Sequence, residues 1–479
     1  MTTRKENFSK WYLETIQKAD LMDYAPVRGN IIFKPDGFAI WEQIQDAMDQ
    51  RFKEEGVRNA YFPMLIPESF FTKEKDHIEG FAPELPWVTE AAGEKLEERL
   101  ALRPTSETVI GDAYSRWINS YRDLPLMLNQ WANVFRWEKR TLPFLRTSEF
   151  LWQEGHTAHS TAQEAQERTQ TMLRIYRDVV ENTLAMPVFM GEKTPSERFA
   201  GAERTYSIES MMQDGKAVQA GTSHYMGTKF AEAFDIKFLN EDNEHVYAYT
   251  TSWGTSTRLI GALIMTHGDD QGLVLPPAVA ATQVIFIPVG PWQKNPEIME
   301  KIKELQDQLH AKGIRTTIDD TDNRPGFKFA EAELRGVPLR VEVGPRDLEN
   351  GQAMYKLRDL DDKDSVGFED FAARIQDELQ AMQSRLLETA RARQAEHIYT
   401  DINTLDELEA HIEAKTEAGE IPGWVLAGWD GTEESEALIK ERTGFTTRNI
   451  PFEGMVEPKT TCIVTGKPAK ETVWLARAY

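Results

Sequence analysis

One cysteine, Cys462, stands in 479 residues, and that scarcity limits how such a chain can hold itself together. No intrachain disulfide can form, and a closed zinc site built on cysteine thiolates is excluded. The fold must rest on apolar packing. At this length several cores can be buried without covalent staples, and about three domains of roughly 150 residues are expected. The 41% hydrophobic and 28% charged residues are the balance of an ordinary globular protein. The opening stretch, MTTRKENFSKWY, lacks the apolar core of a secretory signal. The most apolar stretch, Gly272 to Gly290, is interrupted by Pro276, Pro277, Gln283 and Pro288, so no membrane span is expected. These features suggest a cytoplasmic protein. A net charge of −23 argues against general affinity for nucleic acid, because phosphate contact normally needs a basic footprint.

Periodicity divides the chain. Ile40, Ile44, Met48 and Phe52 recur every four positions and mark one helical face. Gly56 ends that pattern, and Ala60 to Pro67 reads as a short apolar strand punctuated by prolines, which suit sheet edges because they cannot donate to a ladder. From about Leu102 to Val274, strands alternate with helices such as Thr161 to Asn182. Near Thr282 the organisation changes. Gln283 to Val289 is a strand, and Ile298, Ile302, Leu305 and Leu309 form a helical stripe with Gly313 as its C-cap. Strand Ile314 to Ile318, helix Phe327 to Leu334 and strand Leu339 to Val343 follow. This order predicts a compact α/β domain ending near Asp361, with Leu275 to Ala278 as the linker before it. Residues 361–420 hold 16 acidic and 6 basic side chains. Phe371, Ile375, Leu379, Met382 and Leu386 form an amphipathic stripe there, so the acids read as a solvated helix face. Thr404 to Glu407 fits a capping box.

Three segments carry candidate chemistry. In Arg103-Pro-Thr105-Ser106-Glu107-Thr108, Thr105 or Ser106 is placed to cap a helix running through Ile110 and Tyr114. The same helix start can hold a ligand's ammonium. Between Arg136 and Arg146, four basic residues accompany one acid. Planar guanidinium groups match phosphate or carboxylate oxygens bidentately, so this is an anion-binding candidate. If Phe150 to His156 is a strand, then Phe150, Trp152, Glu154 and His156 share one face. A plain core would not bury Glu and His unpaired; the alternative is a solvent-facing strand. The third segment combines Gln219 to His224 with Ser252 to Gly261. Small residues around Gly254 admit a ligand to the backbone, and Arg258 opens an apolar helix, a second anion-binding candidate.

In order and spacing, these segments resemble the signature motifs of the class II aminoacyl-tRNA synthetases. Gly56 to Pro63 resembles the first motif, whose strand and proline build a homodimer interface. Phe135-Arg136-x-Glu138, Arg146, Phe150 and Glu154 resemble the second, and Gly254 to Arg258 a reduced third. Thr105 to Glu107, Trp152 to His156 and Gln219 to His224 are further similar to the prolyl-tRNA synthetase family, in its archaeal/eukaryotic-type subclass that ends in tyrosine, here Tyr479. The resemblance spans the chain. It implies an α+β catalytic domain on a mainly antiparallel sheet (1–278), an α/β anticodon-binding domain (279–365), and an acidic helical segment with a small α/β C-terminal domain (366–479).

The resemblance also implies roles. Thr105, Glu107 and Arg136 would hold L-proline, Glu107 accepting from its secondary ammonium and Arg136 positioning its carboxylate. Trp152, Glu154, His156 and His224 would complete the pocket for the ring. Arg136, Glu138, Arg146, Thr147, Gln219, Thr222, Ser256 and Arg258 would hold ATP, with Arg136 and Arg258 as the catalytic pair and Mg²⁺ bridging phosphate oxygens. Phe329, Glu333, Arg340 and Arg346 would read the anticodon of tRNA(Pro), the charged groups through guanine edges and Phe329 by stacking. For each of these four, plain surface charge or packing is the alternative. The acidic balance is then compatible with a tRNA partner, because Arg136 to Arg146 and Arg324 to Arg346 carry local positive charge.

Two departures from the family stand out. Positions that often carry zinc-binding cysteines are here Ala427, Thr432, Cys462 and Thr465, so no structural zinc is expected. Only 102 residues separate Glu154 from Ser256, too few for an added editing domain. Two other readings stay open: a sister class II synthetase, and a catalytically inactive relative that keeps tRNA binding.

Overall fold

The computed structural model describes residues 2–71 and 85–479. Its largest element is an eight-stranded sheet ordered Ile450–Pro451, Phe189–Glu192, Arg204–Met211, Ala217–Gly227, Tyr249–Ser256, Glu149–His159, Leu126–Phe135, Arg58–Asn59. Every pairing is antiparallel except the last, where Arg58–Asn59 runs parallel to its neighbour. The expected α+β architecture is therefore present.

Helix Pro35–Glu54 begins with proline in its first turn, where no amide partner is lost. It buries the stripe Ile40, Ile44, Met48 and Phe52, as the spacing predicts. With helices Ala162–Asn182 and Arg258–His267 it contributes to one core that includes Tyr176, Trp253 and Leu259. The sheet side chains alternate strictly here. Gly155 faces the core, and a Cβ there would lie 2.1 Å from the Trp253 ring; its neighbours Glu154 and His156 face the opposite side.

Of the strand expected over Ala60 to Pro67, only Leu65–Pro67 forms. Arg58–Asn59 pairs with the large sheet, whereas Leu65–Pro67 pairs with Glu94–Leu102 in a separate three-stranded sheet. Two losses account for this: Pro63 has no N–H, and the Phe62 N–H is taken by the side chain of Gln130, distant in sequence.

The second unit has strands ordered Thr316–Ile318, Val284–Pro288, Leu339–Val343, Gln352–Leu357, Lys363–Gly367; the first three are parallel and the last two antiparallel. Helix Pro296–His310 buries its predicted stripe. Helix Phe371–Glu396 packs beside it and over strands 352–357 and 363–367, placing Phe371, Ile375, Leu379, Met382 and Leu386 in the same core. The apolar unit thus runs past residue 365, because the sheet needs that helix as cover. The linker expected at Leu275 to Ala278 is packed, not free: Ala278 N–H donates to Gln383, and Arg315 donates to the carbonyls of Pro277 and Ala278.

The third unit is a four-stranded sheet, Ile398–Tyr399, Trp424–Trp429, Glu471–Ala476, Thr446–Thr447. Its helix Leu405–Glu417 opens on the predicted reciprocal capping box of Thr404 and Glu407. Strand Ile450–Pro451 leaves this unit to finish the edge of the eight-stranded sheet beside Gly191, where any Cβ would meet the Ile450 carbonyl at 2.1 Å. Ala427 sits in a buried strand, Thr432 caps helix Glu433–Thr443, and Cys462 is buried. One thiol among these four side chains does not fit a tetrahedral zinc site. Among the described residues no helix is long and apolar enough to cross a membrane.

Candidate active site

The outer face of the central strands lines a cavity of about 240 Å³. Its walls bring together Thr105, Glu107, Arg136, Trp152, Glu154, His156, Gln219, Thr222, His224, Ser256 and Arg258, drawn from all three sequence segments. Trp152, Glu154 and His156 alternate along one strand, as their spacing predicts. The Trp152 indole N–H is buried and has no hydrogen-bond partner among the described residues. Arg136 lies over the Trp152 and Phe150 rings at 5.3 and 5.5 Å and donates to the Pro104 carbonyl at 3.3 Å. Its aromatic backing limits where the guanidinium can point.

The helix start at Thr105 to Glu107 differs from its expected capping. Ser106 occupies the N-cap but its side chain makes no cap bond. Glu154 takes that place. Its carboxylate accepts from the Ser106 N–H at 2.8 Å, the Thr105 hydroxyl at 2.9 Å and the Gln130 amide at 3.1 Å, while His156 Nε2 lies 3.8 Å away. Burial would raise this carboxyl, yet His156, Ser106 and Thr105 hold it below its ordinary range. Glu154 is thus ionised and committed to the turn that carries Thr105 and Glu107, so its action on a ligand runs mainly through them.

His224 stacks on Phe199 at 4.4 Å, and its Nδ1 pairs with the Thr205 hydroxyl at 3.0 Å. Burial, then His156, lowers its pKa to about 3, so the imidazole is neutral at physiological pH. One end of the cleft is therefore walled by aromatic groups, a neutral imidazole and a buried turn.

The other end is cationic. Burial, then Arg146 and Arg136, lowers the Arg258 pKa to about 10. It stays charged, and its Nε donates to the Leu145 carbonyl at 3.1 Å. Glu138 lies 3.6 Å from Arg146. Arg146, Gln219 and Arg258 also line an adjoining space of about 250 Å³, and Tyr479 reaches its wall. The terminal tyrosine is held there by its hydroxyl on Asp214 at 2.6 Å and its N–H on the Ala217 carbonyl at 3.1 Å. Thr147 is buried with its hydroxyl on the Glu149 carbonyl and lines neither space. Among the described residues no group of three or more His, Cys, Asp or Glu converges as a metal site.

The cavity also includes Lys193, Phe199 and Thr205, which sequence reasoning missed. A signal was present. In Arg204–Met211 the polar Thr205, Ser207 and Glu209 alternate with the apolar Tyr206 and Ile208, yet all five are buried. A strand that buries polar groups on one side faces a polar interior.

The four residues expected to meet an anticodon lie in the second unit. Arg340 is buried, bonded to Glu342 at 3.0 Å and Glu333 at 3.3 Å, and lies 4.0 Å over Phe329. Arg346 is exposed at the start of a separate helix, Pro345–Asn350. The structure gathers three of the four and leaves Arg346 apart from that cluster.

Residues 87–267 match the family model of the tRNA synthetase class II core domain (G, H, P, S and T), residues 283–378 an anticodon binding domain, and residues 407–479 the prolyl-tRNA synthetase C-terminal domain. The chain is 60% identical over 479 residues to a proline–tRNA ligase of Symbiobacterium thermophilum, covering all of this chain and 98% of that one. It is 52% identical over 482 residues to a proline–tRNA ligase of Acetoanaerobium sticklandii, again covering all of this chain and 98% of the relative. A proline–tRNA ligase of Chlorobaculum tepidum is 50% identical over 497 residues, with 100% and 99% covered. With the cleft, the domain order and these relatives in agreement, the chain belongs to the prolyl-tRNA synthetase family of class II aminoacyl-tRNA synthetases.

Proposed function

We propose that the chain joins L-proline to tRNA(Pro) at the expense of ATP, and that the cleft is where both steps occur. One observation carries the reading: Arg136 and Arg258 line the same cavity, and Arg146 lines with Arg258 the space adjoining it, so three guanidinium groups border one continuous site that also has a neutral imidazole in its wall. Such a cluster is poised for a polyanion. Thr105 and Glu107 face the prolyl ammonium, and Arg136 faces its carboxylate. Arg146, Gln219, Thr222, Ser256 and Arg258 surround ATP, whose phosphates would carry Mg²⁺, and Glu138 acts from beside Arg146. Thr147 acts there only by supporting the strand.

In the first step a prolyl carboxylate oxygen attacks the α-phosphorus, the bond to the bridging oxygen breaks, and pyrophosphate leaves. This asks the protein mainly for positioning and charge neutralisation. In the second step the prolyl group passes to the terminal ribose hydroxyl of tRNA and AMP leaves. Phe329, Glu333, Arg340 and Arg346 serve the anticodon end, with Arg340 preordered by its two carboxylates.

We further assign the chain to the archaeal/eukaryotic-type subclass, supported by Tyr479 at the cleft, and propose a cytoplasmic homodimer without an editing function. Dimerisation is supported by Tyr61, Leu65 and Trp117, large apolar groups exposed in and next to the segment that resembles the first motif, with Trp117 against Phe62. A crystal structure with a non-hydrolysable prolyl-adenylate analogue tests the site. The expected result is the ring against Trp152 and His224 with the phosphate between Arg136 and Arg258; a ligand bound with the opposite polarity would overturn it.

A further inference from the structure

The activation mechanism leaves one buried charge cluster unused. Glu209 is fully buried, and two cations meet its carboxylate, one on each oxygen. Lys193 Nζ donates to Oε1 at 2.9 Å. Arg448 donates to Oε2 through Nη2 at 2.9 Å and Nε at 3.3 Å. Lys193 is 3% exposed and Arg448 7%. Burial alone would raise the Glu209 carboxyl, but Lys193 and Arg448 hold it below its ordinary range.

The two cations come from different units. Lys193 follows the strand Phe189–Glu192 and lines the cavity. Arg448 belongs to the C-terminal unit, between Thr446–Thr447 and Ile450–Pro451. Its backbone N–H is bonded to Trp474 and its Nη1 to Thr446, while Asn449 donates to the Phe189 carbonyl. The segment is thus clamped where it enters the catalytic sheet. With one carboxylate between two cations, the buried cluster has one cation more than it has anions; burial lowers the Lys193 pKa and the Glu209 carboxylate opposes that, and Lys193 is the member of the cluster on the cavity wall that Arg258 also lines. A surplus charge of that kind favours an anion in the adjoining space.

We infer that Arg448 is a positioning residue for proline activation: by engaging Glu209 it holds the Lys193 ammonium toward the cleft, so that the C-terminal unit supplies part of the field that stabilises the reacting carboxylate and phosphate. The inference rests on the proline-activating reading above. It makes the third unit part of the active site and not only a stabilising appendage.

Removing Arg448 leaves one cation on Glu209, so the surplus charge disappears and Lys193 is drawn back onto the vacated oxygen. Proline-dependent ATP–pyrophosphate exchange, normalised to folded dimer by circular dichroism and sedimentation, should fall about 10- to 100-fold in kcat for Arg448→Met. The KM for ATP should change little, and Arg448→Lys should recover part of the loss. Lys193→Met probes the same path without touching the C-terminal unit and remains informative if Arg448→Met does not fold; it should lose kcat to a similar extent. The double variant should lose no more than the worse single one. Normal kcat in folded Arg448→Met or in Lys193→Met, or fully multiplicative losses in the double variant, would overturn the inference. If the unsubstituted chain shows no exchange with proline, the functional reading itself fails, which is a distinguishable result.

Discussion

Glu154→Gln tests whether the buried carboxylate works through the turn it caps. In the native site one oxygen accepts from Ser106 N–H and the Gln130 amide, and the other from the Thr105 hydroxyl, at 2.8 to 3.1 Å. The group is only 2% exposed, so water cannot replace these bonds. Glutamine has nearly the same shape but keeps a single acceptor oxygen and no charge. Its NH₂ would face Thr105, whose hydroxyl must rotate to accept. Bonds to charged groups are worth about 1.5–3 kcal/mol and neutral ones about 0.5–1.5, so weakening two of them leaves a net cost of about 1–3 kcal/mol. That cost falls on the ordered turn. If the turn is competent only part of the time, apparent affinity drops by that fraction, and at about 1.4 kcal/mol per tenfold the KM for proline rises roughly 5- to 150-fold. Once proline is bound the turn is reordered, so kcat should change much less, and the KM for ATP should hardly move. Steady-state ATP–pyrophosphate exchange separates these terms. An unchanged KM for proline, or a loss confined to ATP, would refute the capping role.

Two more outcomes follow from packing and charge. Gly155→Ala drives a Cβ to 2.1 Å from the Trp253 ring, itself packed 4.9 Å from Phe52; neither can yield, so overpacking should cost about 1–3 kcal/mol or more. Calorimetry should show a lowered Tm, and a wild-type Tm would contradict the packing described. Burial lowers His224 to about 3, and His159 and His267 to about 4. Unfolding lets each take a proton near pH 6.5, so their contribution is complete above that pH and is lost as pH falls, by about 1.4 kcal/mol per unit for each imidazole. The urea midpoint should drop steadily from pH 6.5 to 5; a flat midpoint would count against neutral buried imidazoles.

Helical stripes were the most legible elements. Ile298, Ile302, Leu305 and Leu309 are all buried because a 3.6-residue period leaves one choice of face. The alternation of Trp152, Glu154 and His156 was equally readable, since a strand has only two faces. The segment Ala60 to Pro67 departs from a single strand because its interruption depends on Gln130, a residue distant in sequence. The same limit explains the cap at Ser106, where Glu154 replaces a local hydroxyl, and the fate of helix Phe371–Glu396, whose partner sheet lies upstream. Lys193 and Arg448 are not legible as a pair in the sequence, being 255 residues apart and joined through Glu209. Local periodicity is written in neighbouring residues; long-range polar pairing is not.

The most direct test is ATP–pyrophosphate exchange by the purified chain with each of the twenty amino acids in turn, run beside Arg258→Ala. Only proline should support rapid exchange, and Arg258→Ala should reduce it about 10²- to 10³-fold while tRNA binding persists. Preferred exchange with another amino acid, or undiminished exchange in Arg258→Ala, would contradict the account.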